Sequence, residues 1–332
     1  MSTNHTQGQT HSPDHRTLET QRPTRTAFGI ATALFCSITL SYSAPSLAWG
    51  QTGHRVTGAI ASEYLTADTK QAIRDILGHE SLAQASTYPD EMRSSPDPFW
   101  RKTASPYHYV TLKQPPHYHD HDAPAEGDSV TALTHFRGVL LNPKSSKAQQ
   151  QLALRFIVHI IGDLHQPLHV SDAALADLGG NKFSVTYFRA MSNLHKVWDS
   201  EMIDSQQLSY SEMTQWLLAE ISQQERQQWQ QTNPKVWIQE SSELRLHAYA
   251  AAKQAGAKSL TAKAAANDAA KNASKDSAKN AQPQNDIAVA VPDLSYDHNY
   301  SQYPVVKLRL KQGGVRIADY LNELFAERAK KS

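Results

Sequence analysis

Residues 150–165, QQLALRFIVHIIGDLH, form the most apolar segment of the chain once the first 48 of its 332 residues are set aside. Helical length and the absence of turn residues predict a buried helix, stopped by Pro167. A helix of this kind has to be surrounded, so the rest of the chain must pack around it. It nevertheless carries His159 and Asp163, which a four-residue spacing puts on one face. A charged aspartate buried there without a partner is costly. Taken alone, His159 reads as a core histidine with a satisfied hydrogen bond.

The pattern recurs. His195 and Asp199, in HKVWD, repeat the spacing on a second predicted helix, and DLHQPLH adds His165 and His169 on either side of Pro167. Two His-x-x-x-Asp pairs and a turn histidine supply nitrogen and oxygen ligands of the kind zinc takes, so the recurrence favours a metal site. Histidine is abundant, with 13 of its 16 copies beyond residue 48. Further candidates lie upstream: Asp90 and Arg93 in YPDEMR, His108 in SPYHYV, and His54, five residues after Trp49. Singly, each fits a turn, a cap or a surface charge.

The rest of the chain reads as mostly helical. Val56, Ala59, Ile60 and Tyr64 recur at helical spacing, as do Trp216, Leu217, Ala219 and Ile221. The runs YHYVTL (107–112) and KFSVTYF (182–188) alternate like strands and are expected to pair as a small hairpin. A last helix is expected to begin near Pro304, with Gly313-Gly314 marking close backbone packing or a kink. Residues 250–286 are almost free of large apolar side chains and read as a low-complexity insertion outside the core.

Residues 1–48 read as a signal peptide, with arginines in a polar first part, an apolar run from Ala27 to Leu40, and small residues up to Ala48. Cleavage between Ala48 and Trp49 would leave a periplasmic or secreted protein with no membrane span. The one cysteine, Cys36, lies inside that signal, so the mature chain has no disulfide. It keeps 30 basic and 30 acidic residues, which does not indicate a surface that grips nucleic acid by charge alone.

The sequence resembles the zinc-dependent single-strand-specific nuclease family (the P-one/S-one type), within the zinc phospholipase C-like superfamily. The stretches that carry the resemblance are WGQTGHRVTGAIA, YPDEMR, YHYV, HIIGDLHQPLHV, GGNKFSV, LHKVWDSEMI and GGVRIADYLN, in the family's order from Trp49 to Asn322. It implies an all-α fold, a single compact multi-helix domain over residues 49–332, and a cluster of three zinc ions. Carried over residue by residue, Asp90, His108, His159 and Asp163 would hold one zinc, and His169, His195 and Asp199 a second. Trp49 and His54, with Asp163 bridging, would hold the third. Trp49 would ligate through its α-amino nitrogen and carbonyl oxygen, which requires cleavage after Ala48.

The implied chemistry is hydrolysis of single-stranded DNA and RNA to 5′-nucleotides, with 3′-nucleotidase activity, by a water whose pKa zinc lowers to roughly 7. Asp90 and Arg93 are the implied catalytic residues, Arg93 neutralising charge on the phosphorus. Tyr109 is the candidate for stacking a base, with Phe99, Trp100 and Tyr118 as neighbours or core residues. Asn181 would hydrogen-bond substrate or orient a ligand, and Lys113 would contact phosphate. His117, His119 and His121 resemble metal ligands, but their alternation in a Pro-rich loop reads as a solvated tip. The protein is expected to be a monomer. Two other readings stand beside this one: a zinc phospholipase C acting on lipid head groups, and a non-catalytic zinc-binding protein. The wording of DLHQPLHV and GGNKFSV favours the nuclease, and a storage protein has no use for Arg93.

Overall fold

In the computed structural model, which describes residues 49–273 and 291–331, helices dominate. The expected signal peptide, residues 1–48, lies outside the described residues, as do residues 274–290, which include the expected insertion from 274 to 286. Near the start of the described chain come α1 (Gln51–Tyr64) and α2 (Ala67–Leu77), then the one-turn helices α3 (Leu82–Ala85) and α4 (Tyr88–Glu91). Next are α5 (Ser129–Leu141) and α6 (Lys147–Leu164), followed by the short α7 (Leu194–Lys196) and α8 (Met202–Asp204), joined by a π-helical turn, Val197–Glu201. The series ends with α9 (Tyr210–Ala219), α10 (Gln223–Trp229), α11 (Pro234–Ala273) and α12 (Tyr296–Lys331). Among the described residues no helix is long and apolar enough to cross a membrane.

The apolar segment is α6, and it is surrounded as expected. Ser146 starts it with a capping box, its hydroxyl accepting from the Gln149 N–H. Ala153, Leu154 and every residue from Phe156 to Leu164 are buried. Phe156 stacks between Trp100 and Phe136, at ring separations of 5.5 and 4.4 Å. A second apolar cluster gathers Trp49, Val56, Ile60, Leu194, Trp198 and Leu310. Each large side chain so buried contributes about 1.5–3 kcal/mol, so packing can hold this fold without disulfides.

Two close approaches bring α1 against the centre of the molecule. A Cβ at Gly314 of α12 would lie 2.4 Å from Ile60 Cγ2, and one at Gly162 of α6 would lie 3.1 Å from His54 Nδ1. The Gly313-Gly314 pair therefore serves close packing rather than a kink, and Gly162 lets α1 lay His54 beside Asp163.

The strands differ from expectation. β1 (Val110–Leu112) pairs in parallel with β2 (Val170–Asp172), Val110 opposite Val170. β3 (Ser184–Tyr187) pairs antiparallel with β4 (Ala190–Asn193) and parallel with β5 (Asp293–Leu294). The 107–112 and 182–188 runs therefore do not pair with each other. The second finds its hairpin partner across two residues, Phe188 and Arg189, both at positive φ (47° and 68°). That is the backbone sense of a tight hairpin turn, and so short a loop costs little closure entropy.

Two boundaries also move. The last helix begins at Tyr296, and Pro304 lies inside it on the exposed side. Water can take the carbonyl that a proline leaves unbonded there. The helix entering the low-complexity stretch continues to Ala273, with Ala252 buried in the second cluster and Gly256 against Pro292. Extending an existing helix through alanines needs no new nucleus, so the insertion's first turns belong to the folded body.

Candidate metal centre

Eight candidate ligands come together from six separated pieces of chain. His54 sits on α1, Asp90 in α4 directly after Pro89, and His159 and Asp163 face the same way on α6. His108 and His169 each end a 3₁₀ turn just before β1 and β2, so the parallel register of those strands sets the two histidines side by side. His195 lies on α7 and Asp199 in the π turn behind it. All eight are buried, none more than 5% exposed. Asp163 is central: His159 Nε2 and His108 Nδ1 lie 3.1 and 3.3 Å from its Oδ2, and His54 Nε2 lies 3.2 Å from its Oδ1. Asp90 Oδ1 is 3.7 Å from His108 Nδ1 and 3.9 Å from His159 Nε2. Asp199 reaches His195 Nε2 at 3.0 Å and His169 Nε2 at 3.6 Å.

The outer ring nitrogens are committed to the backbone. His159 Nδ1–H donates to Ser86 O (2.7 Å), His169 Nδ1–H to His108 O (2.6 Å) and His195 Nδ1–H to Gly179 O (2.7 Å). In a neutral imidazole so tied, Nε2 holds a lone pair. The Nε2 atoms of His169 and His195 then face each other at 3.2 Å, an arrangement that a proton or a metal ion must bridge. Both carboxylate oxygens of Asp90 and of Asp163, and both ring nitrogens of His54, are buried without a hydrogen-bond partner. So many convergent lone pairs fit a cation, and buried groups left bare would otherwise be costly. The groups that could hold one are His54–Asp90–His159, His108–His159–Asp163 and His169–His195–Asp199.

Titration in the metal-free protein follows from the same geometry. Burial, opposed in part by His159 and Arg93, raises the Asp90 carboxyl to about 6, and burial pushes Asp163 well above the usual carboxylate range. Burial first, then neighbouring histidines, holds His54 and His108 well below an ordinary histidine, and burial also lowers His159. The third group behaves oppositely. Burial alone would lower His169 and His195, but Asp163 and Asp199 outweigh it and raise the first, and Asp199 raises the second. Burial alone would raise Asp199, yet His195 and His169 bring it below the ordinary carboxylate value.

A family profile described as S1/P1 Nuclease matches residues 49–326. The chain belongs to that family. It is thus a hydrolase of phosphodiester bonds, a nuclease, on a helical fold. Endonuclease 3 of Arabidopsis thaliana is 29% identical over 297 residues, covering 86% of this chain and 92% of the relative. Nuclease S1 of Aspergillus oryzae is 33% identical over 182 residues, 52% of this chain and 61% of its own length. Nuclease P1 of Penicillium citrinum is 27% identical over 286 residues, 83% and 97% of the two chains.

In this nuclease a cleft of 460 Å³ opens over the cluster, with His108, His169 and His195 in its lining. Arg93 lines it too, its guanidinium 3.8 Å from Asp90, and so does the 43% exposed Tyr109. Asn181 lines another wall; its amide donates to Leu178 O while its Oδ1 has no partner. Trp49 is fully buried, and the amide following it, Gly50 N–H, donates to Asp199 O at 2.7 Å.

Other candidates lie elsewhere. Lys113 is absent from the cleft lining; its ammonium donates to His121 O at 3.1 Å. Phe99 and Trp100 pack around Phe156, and the Tyr118 hydroxyl donates to Asp128, so all three are core residues rather than a stacking platform. His119 and His121 stack on each other in the loop after β1, and none of the three loop histidines joins a metal-ligating group among the described residues. His165 is buried on the far side, bonded to Ile161 O and the Arg316 guanidinium.

Sequence reasoning missed Gln166 and Lys182. The Gln166 amide donates to Asp199 Oδ1 while its Oε1 accepts from Leu168 N–H, so it aims a candidate ligand. Its signal was a polar side chain inside DLHQPLH, between two histidines of a buried stretch. Lys182 directly follows Asn181 and shares the cleft wall with it.

Proposed function

We propose that this nuclease hydrolyses single-stranded DNA and RNA to 5′-nucleotides, removes 3′-phosphates from nucleotides, and uses three zinc ions. The observation that carries the reading is the set of buried, mutually facing lone pairs on Asp90, Asp163, His54, His169 and His195, beneath a cleft that Arg93 enters. The expected sets are Asp90, His108, His159 and Asp163 for one ion, His169, His195 and Asp199 for a second, and Trp49, His54 and Asp163 for a third. Zinc bound there supplies Lewis acidity at phosphate oxygens and lowers the pKa of a water to about 7.

The chain's own groups do the rest. Arg93 places a permanent positive charge where a phosphoryl oxygen gains negative charge, and Asp90 holds it in that direction. Tyr109 offers an exposed ring for an unstacked base, and Asn181 stands on the cleft wall with its amide tied to Leu178 O. With the ligands on a recessed floor, a stiff duplex cannot lower its phosphates far enough, whereas a single strand can. Trp49 as an N-terminal ligand entails export and trimming before activity, so the protein works in the periplasm or outside the cell. The match of the family profile from residue 49 onward supports that boundary.

The test is to incubate the mature protein, with and without EDTA, with single-stranded DNA, RNA, duplex DNA, a 3′-nucleotide and phosphatidylcholine. Cleavage of both single strands and the 3′-nucleotide, abolished by EDTA, is expected. Lipid hydrolysis with intact nucleic acid would transfer the site to phospholipase chemistry, and zinc binding without any hydrolysis would leave a binding protein. Metal analysis of the active protein is expected to give three zinc ions per chain.

A further inference from the structure

The cleft lining contains two cations, Arg93 and Lys182, and no carboxylate. Arg93 stands beside Asp90 over the expected ligands. Lys182 stands on a wall built from a different segment, residues 178–182. Its ammonium makes no ion pair among the described residues; its one contact is a long hydrogen bond to Ala176 O at 3.5 Å. The charge that a lysine usually spends on a neighbouring carboxylate is therefore available to a ligand.

The segment carrying it is held in shape. Ala176, Leu178, Gly179 and Gly180 all have positive φ, an unusual run that only a well-tethered loop maintains. The tethers come from below. The Tyr249 hydroxyl of α11 donates to Asp177 Oδ2, and the buried Arg245 guanidinium lies 3.5 Å from Asp172 Oδ2. Lys182 N–H in turn donates to Asp177 O at 3.0 Å, and Asn181 N–H to Leu178 O at 3.3 Å. These partners hold Asp172 and Asp177, two carboxylates of the neighbouring stretch of chain, against α11. The same loop supplies the Gly179 carbonyl that holds His195, so the lysine's backbone is fixed relative to the ligand cluster.

We propose that Lys182 is a second phosphate subsite, which grips a backbone phosphate flanking the scissile one and so favours a polynucleotide over a mononucleotide. This rests on the nuclease reading above. A mononucleotide has one phosphate, which the metal centre and Arg93 engage. A strand carries further phosphates along the same cleft, and an unpaired ammonium meets one as a point charge. Lys113, the lysine that sequence alone suggested for this task, is bonded to the loop after β1.

The experiment compares the zinc-loaded wild type with Lys182→Ala and Lys182→Arg on oligothymidylate over a range of salt concentrations. Loss of one contact of this kind is expected to lower kcat/KM for oligothymidylate about tenfold at low salt in Lys182→Ala. The slope of log(kcat/KM) against log[salt] is expected to become shallower by about 0.7, the contribution of one single-strand phosphate. Lys182→Arg, which keeps the charge, is expected to restore both. Unaltered rate and slope in Lys182→Ala would overturn the subsite. So would a zinc content reduced in proportion to the lost rate, since the lysine would then act on the fold. A wild type that leaves oligothymidylate intact would instead refute the nuclease reading itself, which separates the two failures.

Discussion

Near neutral pH, replacing Asp90 by Asn is expected to relieve the metal-free protein of a buried charge and to weaken the zinc-loaded one. Without metal the folded carboxyl titrates at about 6, against 3.8 for an unburied aspartate, because burial disfavours its charge. At about 1.4 kcal/mol per pH unit, that gap makes the ionised side chain cost the metal-free fold about 3 kcal/mol. The folded state holds this proton more tightly than the unfolded state, so stability falls as pH rises between about 4 and about 6. The Asn variant has no such titration. Its unpaired amide costs about 1–3 kcal/mol, but equally at every pH. The stability of the metal-free variant relative to metal-free wild type should thus improve by about 3 kcal/mol on going from about pH 4 to about pH 7. Urea unfolding after dialysis against EDTA measures this directly. In zinc the wild type is expected to be the more stable at about pH 7, because it gains a ligand oxygen that the amide replaces poorly. A metal-free difference that does not change with pH would refute the claim that burial keeps this carboxyl protonated in the absence of a cation.

Three further outcomes are expected. Gln166→Leu removes the amide that aims Asp199, and zinc affinity measured by chelator competition should fall about 10- to 100-fold, with little change in helix content. A mature protein carrying one extra residue ahead of Trp49 should contain less zinc by metal analysis and lose most activity; full zinc content and rate would remove the N-terminal ligand. Gly314→Val drives a side chain into Ile60, so the melting temperature should drop with a cost of about 1–3 kcal/mol or more, and an unaltered melt would show that α1 and α12 can separate freely.

Much of the site was legible in the chain because ligand chemistry restricts residue type and helical geometry restricts spacing. His159 with Asp163 and His195 with Asp199 both come within 3.1 Å, as a four-residue spacing on a helical turn allows. The Gly313-Gly314 pair left close packing or a kink open, and only the approach of Ile60 decided for packing. The strand pairing was not legible, since short alternating runs carry no address. YHYVTL could meet any exposed edge, and its actual partner, Val170–Asp172, is a three-residue strand inside a motif read for its histidines. Lys113 and Lys182 show the same limit. Both are lysines near a candidate site residue in sequence, Lys113 near His108 and Lys182 beside Asn181, and only the folded loops send one to His121 O and the other into the cleft.

The sequence by itself determined the helical class, the buried helix at the centre and the residue types gathered for a metal, because these follow from periodicity and chemistry along a local stretch. Tertiary structure alone decided which lone pairs face each other, which backbone carbonyls fix the imidazoles, and which cation remains unpaired in the cleft. His54 reaches Asp163 across 109 positions of chain, and Gly179 reaches His195 across 16. Contacts of that kind depend on how helices and loops pack in three dimensions, which no local pattern encodes.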